Sequence, residues 1–261
     1  MRLGMIGAML AIACMGLTGT GVLAADLPAV AAVPEAAAPE VFDWTGLYVG
    51  AQVGVIRVNG VTDAPFNYAD FSNGNGGLNR YTASPRWTGF TGGVNLGFDQ
   101  QLGSVVLGGV GDINFDGGSG NAGYYYYDNA HGGAGSGPTN NGENADFSLN
   151  WDGSVRAKIG VPLDNFMPYI TGGVAFGQAN FTEHRTFGSG TYTGTANLLG
   201  YTLGAGLSYA VTDQIIVTGE YRHTNYNSVL SGSIGANAQD TNDSYISASS
   251  DRATLGVSFK F

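Results

Sequence analysis

The stretch DFSLNWDGSVRAKIGV, residues 146–161, alternates apolar and polar residues across its whole length. Phe147, Leu149, Trp151, Val155, Ala157, Ile159 and Val161 fall on one face, and Asp146, Ser148, Asn150, Asp152, Ser154, Arg156 and Lys158 on the other. A helix, with its period of 3.6, would scatter both sets around its axis, whereas a strand alternates with period two. The stretch therefore predicts a β-strand with one greasy and one wet face.

Working outward, seven more segments show the same alternation: 45–55, 87–98, 105–115, 167–181, 197–211, 214–224 and the terminal 254–261. The connections alternate in length. Short ones (DQQLGS, PLDNF and the pair Thr212–Asp213) take turns with long ones at 56–86, 116–145, 182–196 and 225–249. Eight alternating strands with short turns at one end and long loops at the other predict an all-β fold, an eight-stranded antiparallel transmembrane β-barrel with short periplasmic turns and long extracellular loops. Segments of this length can cross a bilayer when tilted.

A water-soluble eight-stranded barrel would turn its apolar face inward. Here that arrangement would crowd Phe98, Trp151, Tyr209 and Phe261 into a narrow interior and leave glycines outside. With the apolar face toward lipid, Asp112, Asp152, Arg156, Lys158, Glu220, Arg222, Arg252 and Lys260 share the lumen, where both signs can pair. An eight-stranded lumen is only wide enough for side chains to fill, so these charges are expected to form a plug of ion pairs; a narrow ion path is the alternative.

The ends fit this reading. Residues 1–24 read as a secretory signal peptide, with Arg2 before an apolar run and small residues at the cleavage point, after Ala24 or Ala25. Cys14 lies inside it and lacks the small-residue box of a lipoprotein. Residues 25–43 are rich in Ala and Pro and are expected to form a periplasmic tether, with the barrel spanning 44–261. Loss of the signal would remove the single cysteine and Arg2, taking the net charge from −10 to −11. An acidic exported chain argues against nucleic acid as a partner. Glycine, 44 of 261 residues, is about twice its usual frequency, as suits tightly bent strands. The terminal strand alternates Val257, Phe259 and Phe261, and ending on an aromatic it resembles the signal read by the barrel-assembly machinery.

Residues 42–55 (FDWTGLYVGAQVGV) after an Ala/Pro-rich tether resemble the opening of the alpha-proteobacterial opacity-type, or immunogenic, outer-membrane proteins. PYITGGVAFG (168–177), GYTLGAGLSYAVTDQIIVTGEYR (200–222) and the ending GVSFKF are similar to the same family's later strands. The resemblance covers the strands from about Phe42 onward and not the long loops. It implies an OmpA-like eight-stranded barrel, often called porin-like, abundant in the cell outer membrane, with no catalytic residues to carry over.

Candidate chemistry is sparse. His131 and His184 fall in expected loops and His223 near the outer end of the seventh strand; with no close His/Asp pairing and no cysteine after the expected signal peptide, no metal site is expected. Some relatives are described as haem-binding, and Tyr124, Tyr125, Tyr126, Tyr127 and His131 are the residues that could serve; a tyrosine girdle at a loop base is the simpler reading, so no cofactor is expected. No G-x-S-x-G motif sits in a strand-to-helix context, and the glycines of GVGDI (109–113) and GGVAFG (172–177) lie within strands. The chain is therefore expected to be no enzyme. The expected role is a structural, surface-exposed outer-membrane protein. Its partners would be outer-membrane lipid, the barrel-assembly machinery and host or surface ligands at the loops. The alternatives are a narrow diffusion pore and a haem- or ligand-binding surface protein.

Overall fold

The computed structural model describes residues 42–68, 77–127, 137–138, 144–185, 190–233 and 243–261. The expected signal peptide, most of the tether and His131 lie outside the described residues.

Eight long strands form the barrel: β1 (Gly46–Tyr68), β3 (Arg86–Leu102), β4 (Val105–Gly117), β8 (Asn144–Gly160), β9 (Phe166–Arg185), β10 (Gly190–Ala210), β11 (Ile215–Ser233) and β12 (Asp243–Lys260). Each pairs antiparallel with its neighbours, and β12 pairs back onto β1 from Tyr48↔Lys260 to Asp63↔Tyr245, so the sheet closes. Closure explains a chain that ends on an alternating strand: a closed barrel leaves no unpaired edge in lipid. Four short strands extend the sheet at the loop end: β2 (Gly77–Ala83), β5 (Gly120–Gly123), β6 (Tyr125–Tyr127) and β7 (Gly137–Pro138). β2 pairs with the top of β1, β6 with β2, β7 with β6, and β5 with β8.

The strands run longer than the alternation alone suggests. Much of each expected loop continues a strand: β1 runs thirteen residues past Val55 to Tyr68, and β12 begins at Asp243 rather than 254. Beyond the membrane a strand needs ladder partners but no apolar outer face, so its alternation fades while its pairing persists.

The opening stretch is corrected in one respect. Leu149 pairs with Ala179 but Trp151 with Gln178, so one extra residue enters β8. This β-bulge reverses the phase of the strand. Below it Asp152, Ser154, Arg156 and Lys158 face the lumen, and above it Phe147 and Leu149 do, both fully buried. A single uninterrupted alternation puts Phe147 and Leu149 on the outer face with Val155; the bulge carries them inside.

The outer wall is apolar through the middle of the barrel. On β1 the outward residues Leu47, Val49, Ala51, Val53 and Val55 precede Arg57, a run that matches the 9–11 residues of a tilted membrane strand. Val94, Leu96, Val155, Ile159, Ile170, Val174, Leu203, Leu255 and Val257 continue this belt around the barrel, all exposed on the isolated chain. At the opposite end from the loops, three short turns join β3 to β4, β8 to β9 and β10 to β11; in the second, Asp164 takes the left-handed conformation (φ 51°).

Candidate functional site: the filled lumen

The lumen is occupied in layers. At the turn end, Phe42 and Trp44 fold into the mouth and pack with Val106, Met167, Ala210 and Ile216. Trp44 is 1% exposed. Its indole Nε1 donates to the Asp164 carbonyl (3.2 Å) and its backbone N–H donates to Gln101 Oε1 (3.0 Å). The Phe42 and Trp44 rings meet edge to face at 4.7 Å. Asp43 is exposed, and the Thr45 N–H and hydroxyl hold its carboxyl below the usual carboxylate range.

Above this cork lies a cavity of about 50 Å³ bordered by Tyr48, Asp99, Lys158, Tyr169 and Glu220. At roughly 10–15 Å³ per water it holds only a few. Lys158 pairs with Asp99 at 2.5 Å, donates to the Tyr48 hydroxyl (3.2 Å), and lies 4.8 and 5.3 Å from the Tyr48 and Tyr169 ring centres. Both tyrosines depend on glycines across the ladder. A Cβ at Gly97 would stand 2.3 Å from the Tyr48 ring, and one at Gly206 2.4 Å from the Tyr169 hydroxyl.

The charged layer centres on Asp112. Arg222 Nη1 donates to both its oxygens (3.0 and 2.7 Å), Asn114 Nδ2 donates at 2.7 Å, Ser154 donates its hydroxyl, and Arg156 Nη2 lies 3.6 Å away. Arg156 Nη1 also reaches Glu220 (2.8 Å) and Thr171 (2.9 Å), and the Tyr169 hydroxyl donates to Glu220 (3.1 Å). On the loop side, Arg252 spans Asp116 and Asp152, each at 2.9 Å, and Tyr226 donates its hydroxyl to Asp152 (2.9 Å). The side chains of these ion pairs are all under 10% exposed, so each charge needs the partner it has.

The third layer is apolar. Ile56, Val58, Trp87, Phe147, Leu149, Phe181, Leu198, Tyr226 and Ile246 pack across the lumen above the charges. A smaller cluster of Ala83, Tyr124 and Ala145 also forms.

Of the eight charges expected in the lumen, the structure brings seven together: Asp112, Asp152, Arg156, Lys158, Glu220, Arg222 and Arg252. Lys260 stands apart at the turn-end mouth, its Nζ donating to the Asp43 carbonyl and lying 4.3 Å from the Phe42 ring centre. Asp99 and Asp116 complete the network; the alternation places Asp99 in a turn and Asp116 in a loop, whereas both belong to strands. Continuing the alternation of β4 by two residues past Asn114 would have found Asp116.

The histidines also differ from expectation. His184 lies in β9 rather than a loop, 3.5 Å from Asp146, and His223 Nδ1 lies 2.8 Å from Asp251. These pairs are distant in sequence and met only through strand pairing. Among the described residues no group of three or more His, Cys, Asp or Glu could hold a metal. Of the tyrosine run, Tyr124 is buried and Tyr125 is 40% exposed, while Tyr126 and Tyr127 pair their backbones with Tyr81 and Arg80. Val257 and Phe259 face the lipid side of β12, and Phe261 follows it with its ring 5.1 Å from that of Phe259.

The sequence profile described as "Outer membrane protein beta-barrel domain" matches residues 23–261. The chain belongs to this outer-membrane β-barrel family. It is 29% identical over 251 residues to the "31 kDa outer-membrane immunogenic protein" of Brucella melitensis, covering 93% of this chain and 94% of that one. It is 28% identical over 185 residues to the "22 kDa outer membrane protein" of Rhizobium leguminosarum bv. viciae; the match spans 71% of this chain and 65% of that protein, just under two thirds of its length. Among solved structures the outer membrane protease OmpT of Escherichia coli aligns at 13% identity and a TM-score of 0.49, over 84% of this chain and 98% of that one. Family and relatives place this barrel in the cell outer membrane.

Proposed function

We propose that this outer-membrane barrel is a non-catalytic, structural protein of a Gram-negative envelope, its lumen closed to solutes and its extended loop end displayed outside the cell. The orientation follows the rule that barrels of this kind keep short turns in the periplasm and long connections outside. One observation carries the reading: the lumen is blocked three times in succession, by the Trp44 cork, by the Asp112–Arg222–Arg156 network and by the apolar layer around Phe147 and Leu149. A diffusion pore needs a continuous wet path, and the apolar layer opposes one even if the charged layer were to rearrange. Its contacts would then be with the surrounding lipid, with the assembly machinery that reads Val257, Phe259 and Phe261, and with ligands at the loops. Burial of Tyr124 beside Ala83 and Ala145 speaks against that residue as a haem ligand.

Planar-bilayer recording tests the closed lumen. Purified protein is expected to give no stable conductance steps, and Trp44→Ala is expected to give none either, because two layers remain. A sustained open channel in the unaltered protein would overturn the reading in favour of a pore.

A further inference from the structure

The barrel wall parts along one seam at the loop end. β10 and β11 pair without a break from Ala210↔Ile216 up to Gly200↔Tyr226, and among the described residues no pair continues the ladder above that point. Both strands go on. β10 extends up to Gly190 and keeps unbroken register with β9 from Tyr209↔Phe166 to Gly190↔Arg185. β11 extends to Ser233 but pairs there with β12, through register shifts between Tyr226 and Val229 and between Leu230 and Ser233. Bulges bend and twist the strand that carries them, and these take β11 away from β10. The seam parts where the apolar belt ends: Leu199 is the uppermost outward-facing apolar residue of β10, and Asn197, Thr195, Thr193 and Thr191 follow it. An open edge is excluded in lipid and tolerated in water.

One side of β10 is therefore a free edge over Gly190–Leu199 among the described residues, roughly 33 Å long by the rise of a strand. Edges are normally blunted by charge, proline or a bulge. This edge has none of them: its sequence, GTYTGTANLL, holds no charged residue and no proline, and its ladder to β9 has no register shift. Its outward side chains are drawn toward β9 instead. Thr191 Oγ1 lies 3.2 Å from His184 Nδ1, Thr193 Oγ1 3.4 Å from Thr182 Oγ1, and Thr195 donates to Asn180 Oδ1 (3.1 Å). On the inward face Ala196 and Leu198 are buried in the apolar upper layer.

These features define an occupant. A row of backbone N–H and C=O groups is matched along its length by another strand. Its inward residues would meet the apolar layer beside Ala196 and Leu198, and its outward residues would lie among threonines and water. The net charge of −10 disfavours an acidic segment. We propose that the Gly190–Leu199 edge of β10 is a docking site for an extended peptide segment of a partner protein, which adds to the sheet in the place β11 vacates. That segment alternates apolar with small polar residues and carries no acidic ones. The proposal rests on the reading that the loop end lies outside the cell, and not on the closure of the lumen.

Amide hydrogen exchange, read residue by residue on the full chain in lipid nanodiscs, tests it in two steps. In the free protein every second amide of Gly190–Leu199, the one not bonded to β9, is expected to exchange fast and its neighbours slowly. The probe is a synthetic peptide of alternating valine and threonine with a lysine at each end. Added in excess, it should slow the fast amides about tenfold, the worth of one net hydrogen bond. The same peptide N-methylated at alternate residues keeps its side chains but loses the donors of one edge, and it should leave exchange unchanged. A version ending in glutamates should bind more weakly. Uniform protection of Gly190–Leu199 in the free protein, no slowing by the first peptide, or equal slowing by the N-methylated one would overturn the proposal. Labelled peptide on intact cells tests the orientation separately: binding in nanodiscs but not on cells would refute the outward loop end and leave the edge assigned.

Discussion

The lower and upper halves of the lumen are built on the same strands and filled by opposite chemistry. Around Asp112 the interior is held by ion pairs and hydrogen bonds in which every carboxylate has a cation, whereas around Phe147 and Leu149 it is held by close packing, with the Tyr226 hydroxyl on Asp152 joining the two layers. The two halves are therefore expected to fail differently. A buried ion pair adds little net stability over an apolar replacement but costs heavily when half of it is removed, whereas an apolar layer loses stability in proportion to the cavity left behind.

The sharpest way to break this contrast is at Asp112, which two arginines, Asn114 and Ser154 share. Asp112→Ala is expected to destabilise the barrel by about 3–5 kcal/mol, because it leaves the buried Arg222 with Glu220 alone, 3.8 Å from its Nε, and leaves Glu220 to serve Arg156 as well. Asp112→Leu with Arg222→Met should recover much of that loss. Urea titration in lipid vesicles, read by the fraction that keeps folded gel mobility, measures both. If the double variant is as unstable as the single one, the layer is needed for more than charge balance.

In the upper layer, Ile56→Val removes one methylene from a fully buried side chain and is expected to cost about 0.5–1.5 kcal/mol. Its effect should not change between low and high salt. A cost that varies with salt would mean that the apolar layer and the charges below it act as one unit.

The smallest effect is expected at the cork. Asp43 is mostly exposed, and its carboxyl is held below its ordinary value by Thr45. A carboxyl whose folded pKa is depressed contributes stability above its unfolded pKa and loses it as pH falls through the folded value. Asp43→Asn should therefore lower stability slightly at neutral pH and make no difference in strong acid, where the original residue is protonated too. Urea midpoints of the two proteins at neutral and acid pH compare them; a gap that widens on acidification would refute the assignment.

The barrel itself was legible in the sequence because lipid enforces a simple rule. Each membrane-crossing residue faces either lipid or lumen, so hydrophobicity records orientation at every second position, and Leu47 to Val55 or Val155 to Val161 can be read directly. Seven of the lumen charges were legible for the same reason: a charge in a crossing strand has nowhere else to point. Outside the lipid that rule lapses. In the strand continuations past Val55 and before Thr254 the apolar residues Ile56, Val58 and Ile246 face inward and Arg57 outward, so the polarity of the two faces is reversed and no longer marks the lipid side. The bulge at Leu149–Trp151 was hidden as well, because an apolar residue satisfies lipid and the upper lumen equally, and only pairing with β9 reveals the added residue. Which acid meets which base, the paired His223 and Asp251, and the folding of Trp44 into the mouth were likewise decided by the tertiary structure. Each joins residues far apart in sequence, through a register set by ladder hydrogen bonds and barrel closure. The amino-acid sequence thus determined the faces of the strands in lipid, and the closed sheet decided what meets inside it.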